Sequence, residues 1–90
     1  MKKTIITVLG KDTVGIIAKV CTYLAENHCN ILDISQTVTG GYFNMMMIAD
    51  LSGTDKGILD VQKELAAVGE EIGVRIHVQN EEIFDMMNRI

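Results

Sequence analysis

The sequence contains no proline and no tryptophan, and only two tyrosines and two phenylalanines. With 48% hydrophobic residues, the lack of proline argues for continuous regular elements and against a linker or disordered tail. Positive charge is also scarce. Eight Lys and Arg stand against twelve Asp and Glu, giving a net charge of −4, and no basic run offsets it. A polyanion would be repelled at long range, so no nucleic-acid partner is expected. Cysteine is limited to Cys21 and Cys29, which read as reduced packing residues of a cytosolic protein. Long hydrophobic runs are missing too. The apolar stretch behind Lys2 and Lys3 is broken by Thr4 and Thr7, too short for a secretory signal or membrane span. The expectation is a cytoplasmic protein with no membrane association.

Ninety residues make one domain, 1–90, which buries only about 60% of the surface its unfolded chain exposes, so pairing with a second copy is expected to help it. Neither an internal repeat nor a low-complexity segment is present. Lys3 to Leu9, rich in Ile, Val and Thr, predicts a first strand. Val14, Ile17, Ala18, Cys21, Leu24 and Ala25 follow the i, i+3, i+4, i+7 spacing of a helix face, and Asn27 and His28, which tolerate positive φ, suit its end. Asn30 to Thr39 alternates Leu32, Ile34 and Val38 with Asp33, Ser35 and Thr37. Gly40-Gly41 then turns the chain into Tyr42 to Leu51, predicting a hairpin. The odd positions Phe43, Met45, Met47, Ala49 and Leu51 share one face, which should meet the helices. Ser52 to Asp55 offers turn and capping chemistry for a second helix with the stripe Ile58, Val61, Leu65, Val68 and Ile72, stopped by Gly73. Val74, Ile76 and Val78 mark a fourth strand. Glu81 to Ile90 reads as a short amphipathic helix with Ile83, Met86, Met87 and Ile90 on one side.

The order is βαββαβ plus a terminal helix over 81–90. It predicts an α+β, ferredoxin-like sandwich with a core over residues 3–80, in which a four-stranded antiparallel sheet carries two helices on one face. The other face would present Thr7, Ser35, Thr37, Met46, Ile48 and His77, a mixture that the last helix or a second copy should partly cover. Such a fold hosts many activities, so side chains must decide. An acyl phosphatase needs an arginine in the first strand-to-helix loop, and none lies between Gly10 and Gly15. A soft-metal carrier needs Cys-x-x-Cys there, and the Met45-Met46-Met47 run cannot replace it because adjacent strand residues point to opposite faces. RNA-binding sheets carry aromatics in the first strand, and this one has none. His28 and His77 lack partners at metal-ligand spacing, and no nucleophile and base can be placed together. No catalysis, metal or cofactor is expected.

The loop Gly10-Lys11-Asp12-Thr13-Val14-Gly15 instead hands unpaired helix amides to whatever lies above it, which favours a small anion. Gly15 lets a ligand approach the backbone, and the helix dipole suits a carboxylate there. Asp12 and the Asn30 amide oxygen could accept from an ammonium group. Duller readings stand beside these: Gly10 and Gly15 as turn and packing residues, Asp12 as a helix cap, and Asn30 as a bridge across the return turn.

The pattern Gly10, Asp12, Gly15 and Ile16, followed by Asn30-Ile31, resembles the ACT domain, a regulatory module that senses amino acids in enzymes of amino-acid metabolism. The likeness extends from Lys3 to about Asn80. Asp12 takes the polar place of the family's loop, Val14 stands where that loop has proline, and Asn30-Ile31 keep the pair that opens the second strand. Brevity and the extra helix make the chain similar to the free-standing ACT proteins that resemble the glycine cleavage system repressor. The resemblance implies a non-catalytic homodimer joined along the second strand or first helix. It also implies a small-molecule ligand, most simply an amino acid, bound between copies by Gly10, Lys11, Asp12, Val14, Gly15, Asn30 and Ile31. The alternative is a protein-interaction adaptor with a vestigial pocket, reaching a protein partner through the open sheet face or the terminal helix.

Overall fold

The computed structural model of the chain describes residues 2–11 and 14–87. Its elements run β1 (Lys3–Lys11), α1 (Ile16–Glu26), β2 (Asn30–Thr39), β3 (Tyr42–Asp50), α2 (Ile58–Ile72), β4 (Val74–Asn80) and α3 (Glu81–Met87). The strands form one sheet in the order β2-β3-β1-β4. Every neighbouring pair is antiparallel, so the βαββαβ layout is that expected of the sequence. Lys3 lies opposite Asp50 at one end of the sheet, and Lys11 lies opposite Tyr42 at the other.

Strict alternation selects the core. Phe43, Met45, Met47 and Ala49 of β3, with Ile6 and Val8 of β1 and Val74, Ile76 and Val78 of β4, pack in one cluster with residues of α1 and α2. On the opposite face Ile5 is nevertheless only 5% exposed. The short helix α3 contacts β1 and β4. The stripe expected on that helix is legible in part: Ile83 and Met86 are exposed, and residues 88–90, Ile90 among them, lie outside the described residues.

The first helix turns inward a face rotated from the one its spacing suggested, with Leu24 common to both and Cys21 packed at its margin. Ile16, Val20 and Leu24 are buried, while Val14 precedes the helix and Ile17, Ala18 and Ala25 are exposed. The segment carries two apolar stripes, and the neighbouring helix chooses between them. Lys19 donates to Glu71 Oε1 at 2.9 Å and the Tyr23 hydroxyl donates to Glu64 Oε1 at 2.7 Å, which fixes the polar flank of α1 against α2. Cys21 still packs against the core from the side of the expected face, while Ala18 lines a groove together with Tyr23 and with Val68 of α2.

Turn chemistry follows the sequence closely. Gly40 and Gly41 both have positive φ, 59° and 83°, as a two-residue hairpin turn demands. His28 takes φ 59° just past α1. The amide of Cys29 bonds to Leu24 O at 2.9 Å and that of His28 to Ala25 O at 3.2 Å, the paired bonds that close a helix around a left-handed residue. Gly73, at φ 77°, ends α2. One expectation fails: Ser52 to Asp55 does not cap α2, whose N-cap is Gly57 without a side-chain bond. Asp50 captures that turn instead, accepting from the Ser52 amide and hydroxyl and from the Lys2 amide.

Candidate functional site

The junction between β1 and α1 is built around Gly15, the N-cap of α1, with φ 93° and ψ 0°. A side chain with a Cβ rarely adopts this geometry, so the position belongs to glycine. The Gly15 carbonyl accepts the Lys19 amide at 2.9 Å, closing the first turn. That turn has no side-chain cap bond and no acidic residue. The amides of Ile16, Ile17 and Ala18 therefore lack partners within the helix and gather the positive end of its dipole. Nothing lies within 4 Å of the place a Gly15 Cβ would occupy, and Val14 beside it is 99% exposed. Among the described residues, this end of α1 is open. Gly15 also borders a groove of about 480 Å³ that runs along α1 past Ala18, Lys19 and Tyr23.

The other residues expected at the site divide into two groups. Gly10 and Lys11 finish β1 on the Gly15 side. Gly10 faces Val74 so closely that a Cβ would meet its Cγ1 at 2.9 Å, which gives this glycine a packing duty between β1 and β4. Lys11 is exposed opposite Tyr42. Asp12 lies outside the described residues. Asn30 and Ile31 are elsewhere: Asn30 is exposed opposite Asp50, at the far end of the sheet, and Ile31 is half-buried against the core. Measured along β3, Tyr42 and Asp50 mark the two ends, about 27 Å apart at the usual strand rise. The eleven-residue α1 carries the chain from one end to the other. Within one chain the loop and the Asn30-Ile31 pair are therefore not neighbours.

A second polar cluster joins α1, α2 and the turn before α2. Glu64 Oε1 accepts from Lys56 Nζ at 2.5 Å as well as from Tyr23, and Lys56 Nζ stands 5.8 Å from the centre of the Tyr23 ring. The Lys56 and Tyr23 bonds hold the Glu64 carboxyl below its ordinary range. Burial, reinforced by Glu64, pushes the Tyr23 phenol up. Sequence reasoning missed this cluster, whose one signal was a tyrosine four residues after Lys19 on an amphipathic helix. It ties helices together and presents no nucleophile, since burial also raises the Cys29 thiol. A further cavity of about 580 Å³ lies at the opposite end, between Lys2, Thr4, Lys56 and Glu81. Among the described residues no cluster of His, Cys, Asp or Glu could hold a metal ion, and no helix is long and apolar enough to cross a membrane.

Comparison with known proteins agrees with this architecture. A UPF0237 protein of Bifidobacterium longum is 58% identical over 90 residues, covering 100% of both chains. The solved structure of an ACT domain protein from Streptococcus pneumoniae superposes with a TM-score of 0.82 at 42% identity, covering 93% of this chain and 94% of that one. The regulatory subunit of aspartate kinase from Thermus thermophilus matches with a TM-score of 0.67 at 26% identity, over 87% of this chain and 50% of that one. A family profile described as the ACT domain matches residues 2–79. By fold, by sequence and by that profile, the chain belongs to the ACT domain family.

Proposed function

We propose that this protein is a non-catalytic regulatory domain that binds a small amino acid or related metabolite at the β1–α1 junction and works as a pair of identical chains. One observation carries the reading: among the described residues, the amides of α1 have no side-chain cap and face open space at Gly15, with no acidic side chain in the first turn to repel a carboxylate. Contrast with α2 sharpens it. That helix also starts at a glycine, yet Asp60 occupies its first turn.

The separation of Gly15 from Asn30 supports the pairing. A second chain running antiparallel beside β2 sets its own Asn30 and Ile31 at the end where this chain holds Gly10, Lys11, Val14 and Gly15. Each copy then supplies the polar amide that the other lacks, and the ammonium of a zwitterion meets an oxygen while its carboxylate meets the α1 amides. Binding to the folded state raises the melting temperature. At a hundred times the dissociation constant the gain is about 2.7 kcal/mol. A screen of the common amino acids at millimolar concentration is expected to reveal at least one shift of several degrees, and a flat response to all of them refutes the reading.

The adaptor alternative draws on α3, where Met86 is 67% exposed and Ile83 stands beside it. If that helix carries the function, the double variant I83S/M86S loses a protein partner in pull-down while any amino-acid shift is unaffected.

A further inference from the structure

At the end of the sheet away from Gly15, a cavity of about 580 Å³ has room for a small metabolite. One of its sides is cationic. The Leu51 amide bonds to Lys2 O at 3.0 Å and carries the ladder one residue past β1, so Lys2 falls on the face of Thr4, Ile6 and Val8. Lys56 reaches the same cavity from the turn before α2, and Lys3, on the opposite face of the strand, borders its mouth. Eight Lys and Arg serve the whole chain, and three of them gather here. Leu51, 3% exposed, and Ile58, packed against the core, supply an apolar patch. Glu81 and Glu82 supply acceptors on another side.

These charges do not cancel one another. Among the described residues neither Lys2 nor Lys3 takes part in an ion pair, although Glu81 and Glu82 line the same cavity. Asp50, the carboxylate next to Lys2 in the ladder, is held by Ser52 and by the Lys2 amide. Lys56 spends one of its three ammonium protons on Glu64 and keeps two for a second acceptor. We propose that this cavity binds a small polyol phosphate, with the Lys2 and Lys56 ammonium groups on the phosphate, the carbon chain on Leu51 and Ile58, and the hydroxyls donating to Glu81 and Glu82. A phosphate monoester carries up to two charges and three strong acceptors, which suits two ammonium groups arriving from different segments. The acidic side fixes the rest of the ligand, because a dicarboxylate or diphosphate would set its second charge against Glu81 and Glu82. Occupation is also felt on α1. Lys56 shares Glu64 with the Tyr23 hydroxyl, and Tyr23 lines the groove that begins at Gly15.

Glycerol 3-phosphate, titrated into the chain without an N-terminal tag, is expected to move the amide resonances of Lys2, Thr4, Leu51, Lys56 and Ile58 and to leave those of Thr37, Gly40 and Gly41, at the other end, in place. K2Q and K56Q are each expected to weaken binding by about tenfold or more, the loss of one charge-assisted hydrogen bond. E64Q breaks the same ion pair as K56Q but keeps Lys56, so it is expected to bind more tightly than the wild type, which separates a ligand role for Lys56 from a structural one. Lys63, exposed on α2 and outside the cavity, is the control, and K63Q is expected to bind like the wild type. Weakening by K63Q equal to that by K56Q overturns the proposal in favour of diffuse charge attraction. Inorganic phosphate that binds as tightly as glycerol 3-phosphate reduces the cavity to a place for an adventitious ion only, and malate that binds as tightly removes the preference for phosphate; either result overturns the proposal. No movement of any resonance at millimolar concentration overturns the site outright. The amino-acid screen at the β1–α1 junction is independent of all these results, so failure here leaves that reading untouched.

Discussion

Replacing Gly15 by alanine tests the centre of the proposed site, and Gly73 supplies a matched control. Both glycines adopt left-handed geometry at the end of a helix, φ 93° and φ 77°, and neither would bring a Cβ within 4 Å of a non-adjacent atom among the described residues. Steric clash therefore contributes nothing in either variant. What remains is backbone strain of about 1–2 kcal/mol for an L residue at positive φ. A gain of about 0.4–1 kcal/mol from stiffening the unfolded chain offsets part of it. The net loss is about 1 kcal/mol for each, or roughly 4–8 °C in a domain of this size. Urea unfolding followed by circular dichroism measures it as a fall in midpoint at constant slope. Repeating the melts with the amino acid that stabilises the wild type then separates fold from function. G73A is expected to keep the full ligand shift, and G15A to lose most of it, because the new methyl group stands where the carboxylate must approach the α1 amides. If G15A retains the shift, or both variants lose it equally, the ligand does not sit at this junction.

Two further outcomes follow from packing and charge. In G69A the better helix propensity of alanine favours the variant by about 1 kcal/mol, yet its Cβ would lie 2.6 Å from the Val74 carbonyl oxygen and 3.1 Å from Ile76. Because α2 must lift from β4 to admit it, calorimetry is expected to show a net fall in melting temperature, and an unchanged or higher value refutes the close approach. Asp50, Glu64 and Glu71 all have carboxyl groups held below their ordinary range by hydrogen bonds, from Ser52, Lys56 and Lys19 respectively. Folding lowers these values, so the stability they add is complete above the unfolded carboxylate value of about 4, and is lost as pH falls through the folded ones. E64Q is expected to flatten the acid limb of a stability profile between pH 5 and 3; an acid limb as steep as the wild type's contradicts the assignment.

Much of the architecture was legible because single residues announce it. Gly40-Gly41 gives the hairpin, Gly73 and His28 give helix ends, and the odd positions of β3 give the inner face without ambiguity. Legibility failed where a segment had two apolar solutions. On α1, the expected stripe Val14-Ile17-Ala18-Cys21-Leu24-Ala25 and the buried Ile16-Val20-Leu24 are both apolar, and the contacts of Lys19 and Tyr23 with Glu71 and Glu64 that accompany the second lie more than forty positions away, where no local period can reveal them. The cap of α2 was misplaced because Asp50 competes for Ser52. At the candidate site, Gly15 was recognised as a loop glycine, but its distance from Asn30 was not. The signal was present: an eleven-residue helix advances about 16 Å along the sheet and cannot leave its two ends side by side.

That same rod has a mechanical consequence. One tip of α1 forms the rim at Gly15, and its far tip, locked through the Cys29 and His28 amides, delivers the chain to Asn30. In a twofold assembly these tips belong to opposite cups. Any rigid slide of the rod when one cup fills must also displace the residue lent to its twin, so that two distant vessels share a single lever.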